Sequence, residues 1–287
     1  MKFATFEHEG KQLVGRVSAD GARIFPLPAT GMLDLIERYE QFAAEADTEH
    51  PVSLRLDDVR LLAPIPNPRK NIFCVGKNYR EHAYEFSKSR YEAGAVAGSE
   101  VDDYPAVFTK PATSVVGPND AVSTHPQITS KVDYEGEIAV VIGRAGRDIK
   151  RADAAGYIWG FTIINDVTAR DRQKNHRQWF LGKSLDTFCP MGPFIVTSDE
   201  LRHDELSIRT WVNGELRQDA HTRDLIFDIP TLIEVISAGC TLEPGDIIST
   251  GTPAGVGIGF TPPRFLSSGD VVEIEVEGIG RLKNHFV

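Results

Sequence analysis

Val132-Asp-Tyr-Glu-Gly-Glu-Ile-Ala-Val-Val-Ile142 is the stretch on which the reading of the fold turns. Side chains alternate along an extended chain, so Glu135, Glu137, Ala139 and Val141 share one face while Ile138, Val140 and Ile142 take the other. Apolar residues on both faces mean a strand covered on both sides. Two carboxylates at the start of such a strand lose hydration and repel each other, so they need a cation. Gly136 between them leaves room for another segment to approach closely.

The next strand downstream, Tyr157-Ile-Trp-Gly-Phe-Thr-Ile-Ile-Asn-Asp166, is apolar until it ends in a carboxylate. Asp166 is either a third ligand or the cap of the helix expected from Thr168 onward. Three oxygen donors, with no compact His/Cys set near them, suit a hard cation, Mg²⁺ or Mn²⁺, better than zinc.

Around this pair, β-type stretches predominate at 71–76, 105–109, 135–143, 157–165, 192–197, 206–213, 246–250 and 271–277, most of them ended by Gly, Pro, Asn or Asp. Helical spacing is clearest at 79–92, 168–179 and 229–238. The pattern predicts an α+β fold, mainly β, in which an antiparallel or mixed sheet domain carries peripheral helices and no regular βαβ alternation occurs. Short strands at 2–6 and 12–17 and a helix over 33–46 predict a small N-terminal α+β domain. The three prolines of Ala63-Pro-Ile-Pro-Asn-Pro-Arg69 form an extended connector, which sets the boundary between 1–66 and 67–287. The last strand is expected at Asp270–Glu277. Its regular alternation of Val272, Ile274 and Val276 with three glutamates marks a solvated sheet face and no ligand set.

With 31 Lys+Arg against 41 Asp+Glu, the net charge of −10 provides no field for phosphate backbones or anionic lipid, and nucleic acid is excluded as a partner. An anionic substrate would need a metal ion or a few placed cations to enter such a protein. Cys74, Cys189 and Cys240 are three and far apart, which fits a reducing compartment. The N-terminus lacks the apolar core of a signal peptide, and no 18-residue apolar run occurs, so the cytoplasm is expected and no membrane.

Three further stretches carry chemistry. In Asn71-Ile-Phe-Cys-Val-Gly-Lys-Asn-Tyr-Arg-Glu-His-Ala-Tyr-Glu-Phe86 a strand runs into a helix whose His82 and Glu85 are neighbours at i, i+3. A carboxylate on an imidazole fixes its tautomer and raises its basicity, as a general base requires, although such helix pairs are often structural. Lys183, in Trp179-Phe-Leu-Gly-Lys-Ser-Leu, belongs to a GKS that is no P-loop, because Arg177 stands where the first glycine belongs. It reads as a positive group for a carboxylate or enolate, or as an ordinary surface lysine. Ile247-Ile-Ser-Thr-Gly-Thr-Pro-Ala-Gly-Val-Gly-Ile-Gly259 lacks the dinucleotide spacing, leaving backbone N–H groups and Thr252 for a substrate carboxylate, or simply a tight connection.

VDYEGEIAVVIG, NDVTARDRQ, GKSLDTFCPMGP and STGTPAGVG, with CVGKNYREH before them, stand in the order in which they occur in the fumarylacetoacetate hydrolase (FAH) family, which residues 70–287 resemble. The resemblance implies a mixed β-roll catalytic domain, a homodimer, and Mg²⁺ or Mn²⁺ held by Glu135, Glu137 and Asp166. It further implies a water-activating dyad, His82 and Glu85, on a lid, with Lys110, Arg170, Gln173, Lys183 and Thr252 against a small anionic 2-oxo acid substrate. The activity implied first is hydrolysis of a C–C bond in a 2,4-dioxo acid of the acylpyruvate or fumarylpyruvate type, with departure of an enolate. Oxaloacetate-type decarboxylases and hydroxy-diene-dioate isomerases share the scaffold and form the alternative. A silent metal-binding member would lack the dyad that is present here. Residues 87–104 are expected to form a lid segment that affects specificity.

Overall fold

Burial on both faces of the 136–142 strand organises the whole molecule. The computed structural model describes residues 1–46, 52–89, 91 and 103–287. In chain order its main elements are β1 (Lys2–His8), β2 (Lys11–Val17), β3 (Arg23–Pro26), α1 (Met32–Glu37), α2 (Tyr39–Ala46), β4 (Ile72–Gly76), α3 (Arg80–Lys88) and β5 (Ala106–Lys110). There follow β6 (Gly136–Ile142), β7 (Ile158–Asn165), α4 (Arg170–Asn175), α5 (Phe180–Lys183), β8 (Cys189–Thr197), β9 (Ser207–Val212), β10 (Glu215–His221), α6 (Ile229–Ser237), β11 (Ile247–Ser249), β12 (Val271–Val276) and β13 (Gly280–Phe286).

One large sheet runs β3-β2-β1-β8-β7-β6-β11-β4-β5, and a five-stranded sheet contains β10-β9-β12-β13. The large sheet is mixed: β6 pairs antiparallel with β7 and β11, and β11 pairs parallel with β4. The two faces of β6 enter two different cores, as the alternation requires. Ile138, Val140 and Ile142 pack with Ile208, Ile274 and Leu282 of the second sheet and with Leu232 and Ile236 of α6. Ala139 and Val141 pack with Leu35, Ile36 and Phe42 of the N-terminal helices and with Phe3 and Ile195. This mainly β, α+β architecture is the one expected.

The N-terminal strands extend the large sheet, because β1 pairs with β8 through Lys2 opposite Val196 and Phe3 opposite Ile195. Residues 1–66 therefore share a ladder and an apolar layer with residues 67–287. Thr5 Oγ1 donates to the Pro64 carbonyl at 2.6 Å, tying the proline connector to β1.

Three expected elements differ in extent. The 33–46 helix is two, since Arg38 leaves helical geometry at φ −114°. The 168–179 helix is also divided into α4 and α5, because Arg177 adopts φ 59° in the left-handed region. The strand at 271–276 has the expected one-sided burial but is not the last: β13 pairs along its length. Gly-Arg-Leu-Lys-Asn-His-Phe lacks a plain apolar alternation because its inward positions include Asn284, whose amide donates to the Gly117 and Asp120 carbonyls at 2.9 Å each. Most of the 87–104 segment lies outside the described residues.

Candidate metal centre

Strand register brings the three carboxylates together. With Gly136 opposite Asn165, the next pair outward is Glu135 and Asp166, and the Asp166 N–H donates to the Glu135 carbonyl at 2.8 Å. Glu137 lies two residues further in on the same face as Glu135. One oxygen of each of Glu135, Glu137 and Asp166 lies within 4.8 Å of the others, and all three residues are buried. Asp166 does not cap α4: the residue at the cap position is Ala169, and no side chain caps that helix.

Cations from three segments reach this cluster, and a fourth lines the cavity beside it. Lys183 Nζ donates to Glu135 Oε2 and Asp166 Oδ2 at 2.7 Å each, and lies 4.9 Å from the Phe108 ring centroid. Arg170 spans Asp133 Oδ2 at 2.9 Å and Glu135 Oε1 at 2.7 Å, and donates to Gln173 Oε1 at 3.2 Å. Lys110, fully buried at the end of β5, donates to Asp166 Oδ1 at 2.6 Å, to the Val167 carbonyl at 3.1 Å and to the Lys183 carbonyl. Lys77, at φ 55°, follows β4 and lines the same cavity.

These charges set the protonation states. Burial pushes the Glu135 carboxyl up, but Lys183 and Arg170 outweigh it and hold it at about 2. Burial also opposes the Lys183 ammonium, and Asp166 and Glu135 more than compensate, so it stays charged. Glu137 goes the other way: burial, then the carboxylates of Asp166 and Glu135, drive it well above the ordinary carboxylate range. It accepts hydrogen bonds from Ser249 Oγ at 2.6 Å and from the Gly251 N–H at 3.0 Å. A proton on Glu137 is thus what a divalent cation would replace, and the all-oxygen donor set fits Mg²⁺ or Mn²⁺.

Helix α3 forms the opposite wall. His82 is buried at 4% exposure, and its Nδ1 lies 3.2 Å from Glu85 Oε2, leaving Nε2 as the nitrogen not engaged by Glu85. His82, Glu135, Glu137, Arg170, Gln173, Lys183 and Thr252 all line one cavity, together with Phe86, Phe108 and Trp179. The space inside is about 10 Å³, room for a single water or bare ion. Thr252 presents itself to this cavity with its hydroxyl already engaged: it donates to the Gly136 carbonyl at 3.0 Å and accepts from Gln218 Nε2 at 2.8 Å. Lys110 stands behind Asp166, outside the residues that line the cavity.

Sequence reasoning did not find Asp133, Lys77, Trp179 or Ser249. Asp133 and Lys77 each sit close to a residue that carries a motif, yet only the folded chain shows that they face the same centre.

A carboxylate cluster of this kind, sealed from solvent beside a histidine held by a glutamate, is that of a metal-binding enzyme. The profile described as Fumarylacetoacetate (FAA) hydrolase C-terminal matches residues 71–287, and the chain belongs to the FAH family. Over 309 aligned positions, covering 99% of each chain, it is 46% identical to the oxaloacetate tautomerase YisK of Bacillus subtilis. Its fold superposes with a TM-score of 0.86 on a fumarylacetoacetate hydrolase from Exiguobacterium antarcticum, 43% identical, covering 100% of this chain and 99% of that one. Maleylpyruvate hydrolase from Sphingobium, solved with manganese and pyruvate, matches with a TM-score of 0.80 at 31% identity over 100% and 99% of the two chains.

Proposed function

We propose that this protein catalyses metal-dependent proton transfer in a small 2-oxo diacid, with keto–enol tautomerisation of oxaloacetate as the reaction. The observation that carries it is a Glu85-held imidazole and a cation-lined carboxylate cluster lining one cavity. The relationship to an oxaloacetate tautomerase along the whole chain supports the isomerase alternative over C–C hydrolysis.

Mg²⁺ or Mn²⁺, held by Glu135, Glu137 and Asp166, would polarise the 2-oxo group and neutralise the substrate's negative charge. The chain supplies the rest. His82 Nε2, with its tautomer held by Glu85, takes a proton from C3. Lys183 Nζ donates to the C2 oxygen as negative charge develops there, which contributes several kcal/mol when the donor is preorganised and water is excluded. The proton held on His82 is then delivered to that oxygen, so the enol forms, the imidazole is restored and Lys183 remains an ammonium. Phe86, Phe108 and Trp179 keep bulk water from the enolate. The reading includes a homodimer working in the cytoplasm.

The test follows the enol absorbance of freshly dissolved oxaloacetate with Mn²⁺-loaded protein. Equilibration is expected to be accelerated, abolished by EDTA and reduced roughly 10²–10⁴-fold by His82→Ala. An unaccelerated approach to equilibrium by the loaded parent would sink the proposal. A second reading keeps the dyad as activator of water on an acylpyruvate, supported by the likeness to two hydrolases. Pyruvate release from acylpyruvates, without effect on the oxaloacetate enol, favours it, and CO₂ release from oxaloacetate marks decarboxylation.

A further inference from the structure

The glycine-rich stretch after β11 has no substrate-facing role in the mechanism, yet four of its N–H groups are aimed at carboxylates of the protein itself: that of Gly251 at Glu137, and three further along. The Gly257 N–H donates to Asp133 Oδ1 at 2.6 Å and the Ile258 N–H to Asp133 Oδ2 at 3.1 Å. The Gly255 N–H donates to Glu85 Oε1 at 3.1 Å, and Tyr134 Oη donates to the Gly255 carbonyl at 2.7 Å. Asp133 and Tyr134 therefore anchor the loop by their side chains, the Arg264 N–H adds a backbone bond to the Gly257 carbonyl at 2.9 Å, and Glu85 is what the loop holds.

Two glycines are required by close approach. A Cβ on Gly257 would stand 2.6 Å from Asp133 Oδ1 and 2.3 Å from the Arg264 carbonyl. One on Gly259 would stand 1.5 Å from Glu85 Oε1. Each side chain removed from the loop makes room for a carboxylate.

We propose that Asp133 and Tyr134 are positioning residues that fix the 255–259 loop as the seat of Glu85 and, through Glu85, orient the His82 imidazole over the carboxylate cluster. The path is continuous: Asp133 and Tyr134 to the loop, Gly255 N–H to Glu85 Oε1, and Glu85 Oε2 to His82 Nδ1. The single run Asp133-Tyr134-Glu135-Gly136-Glu137 thus serves both halves of the site. Its first two residues set the base, and its two glutamates belong to the metal cluster. Arg170, hydrogen-bonded to Asp133 and ion-paired with Glu135, ties the halves together. The inference rests on His82 being the proton-transfer group.

Tyr134→Phe deletes one anchor, and Gly259→Ala displaces Glu85 from the other side without touching either anchor. Asp133→Asn is the severest, because in either amide orientation its NH₂ meets donors: Gly257 and Tyr134 N–H on one side, Ile258 N–H and Arg170 Nε on the other. In the full-length protein, Tyr134→Phe and Gly259→Ala are expected to speed amide exchange in residues 80–88 roughly tenfold. Their Mn²⁺ affinity, read by titration calorimetry, should stay within about threefold of the parent, since the metal cluster is untouched. Turnover should fall about fivefold or more in kcat with KM little changed. In a His82→Ala background neither should lower the residual rate further. Unchanged exchange at 80–88, a parallel loss of Mn²⁺ affinity, or a full additional loss in the His82→Ala background would each overturn the proposal. The exchange measurement needs no substrate, so it decides the seating of α3 even if oxaloacetate proves not to be turned over.

Discussion

Lys110 offers the sharpest quantitative test, because its position behind Asp166 and its expected role as a substrate contact lead to opposite results. In the structure its ammonium is fully buried and neutralises Asp166 at 2.6 Å while satisfying the Val167 and Lys183 carbonyls. Lys110→Met keeps most of the aliphatic volume and removes the charge and three donated bonds. Breaking a buried pair from one side costs about 3–5 kcal/mol, and here, although Lys183 still pairs with Asp166, the Val167 and Lys183 carbonyls also lose their donor. At about 2–4 °C per kcal/mol for a chain of this size, the melting temperature in EDTA should fall by roughly 6–20 °C. Mn²⁺ should recover more of this loss than it adds to the parent, because a divalent cation beside Asp166 supplies the charge that the variant lacks. The assay is thermal or urea unfolding of both proteins in EDTA and in saturating Mn²⁺. A variant within about 1 kcal/mol of the parent in EDTA, with KM raised instead, would refute the reasoning and make Lys110 a substrate contact.

Glu137→Gln mimics the protonated carboxyl and retains an acceptor for Ser249 and Gly251, so stability in EDTA should be unchanged or higher while Mn²⁺ affinity drops about a hundredfold, read by calorimetry. The same group sets a pH dependence. Its folded pKa is raised, so the stability that it contributes to the metal-free protein is complete below the ordinary carboxylate range and is lost as pH rises through the folded value. Metal binding must expel that proton, so Mn²⁺ affinity should increase with pH, and titrations in two buffers of different ionisation enthalpy should show proton release; no release would mean that Glu137 is already ionised. Arg170→Lys keeps the charge but cannot span Asp133 and Glu135 together, so it should cost about 2–3 kcal/mol in unfolding free energy; a neutral substitution would deny the bridge its role.

Much of the fold was legible because β6 is a limiting case. Seven consecutive buried residues have no solvent face to disguise their period, and the same holds for the eight of β7. Strands whose buried positions are polar gave no such signal. β10 buries Gln218 to hold the Thr252 hydroxyl and the Pro253 carbonyl, and β13 buries Asn284 to satisfy two loop carbonyls. Hydropathy scores these residues as exterior although their hydrogen bonds place them inside. The breaks at Arg38 and Arg177 were hidden for another reason: neither is a glycine or proline, so tertiary packing alone imposes their backbone angles.

At the site, what could be read was whatever a single strand or a single helix carries. Glu135 and Glu137 share a face by period, and His82 and Glu85 by helical spacing. Asp166 was ambiguous from sequence because a carboxylate before a helix is the usual cap, and only the register that sets it opposite Glu135 removes that role. The cations could not be ranked, since burial and distance decide which lysine faces the cavity and which braces it from behind. The glycine-rich loop is the most instructive case. Its backbone N–H groups suggested an anion site, and it is one, but the anions are Glu137, Asp133 and Glu85 of the same chain. A loop that binds its own carboxylates spends its donors on orientation instead of on substrate affinity, so substitutions there should change kcat before KM, the reverse of what an external carboxylate site would give.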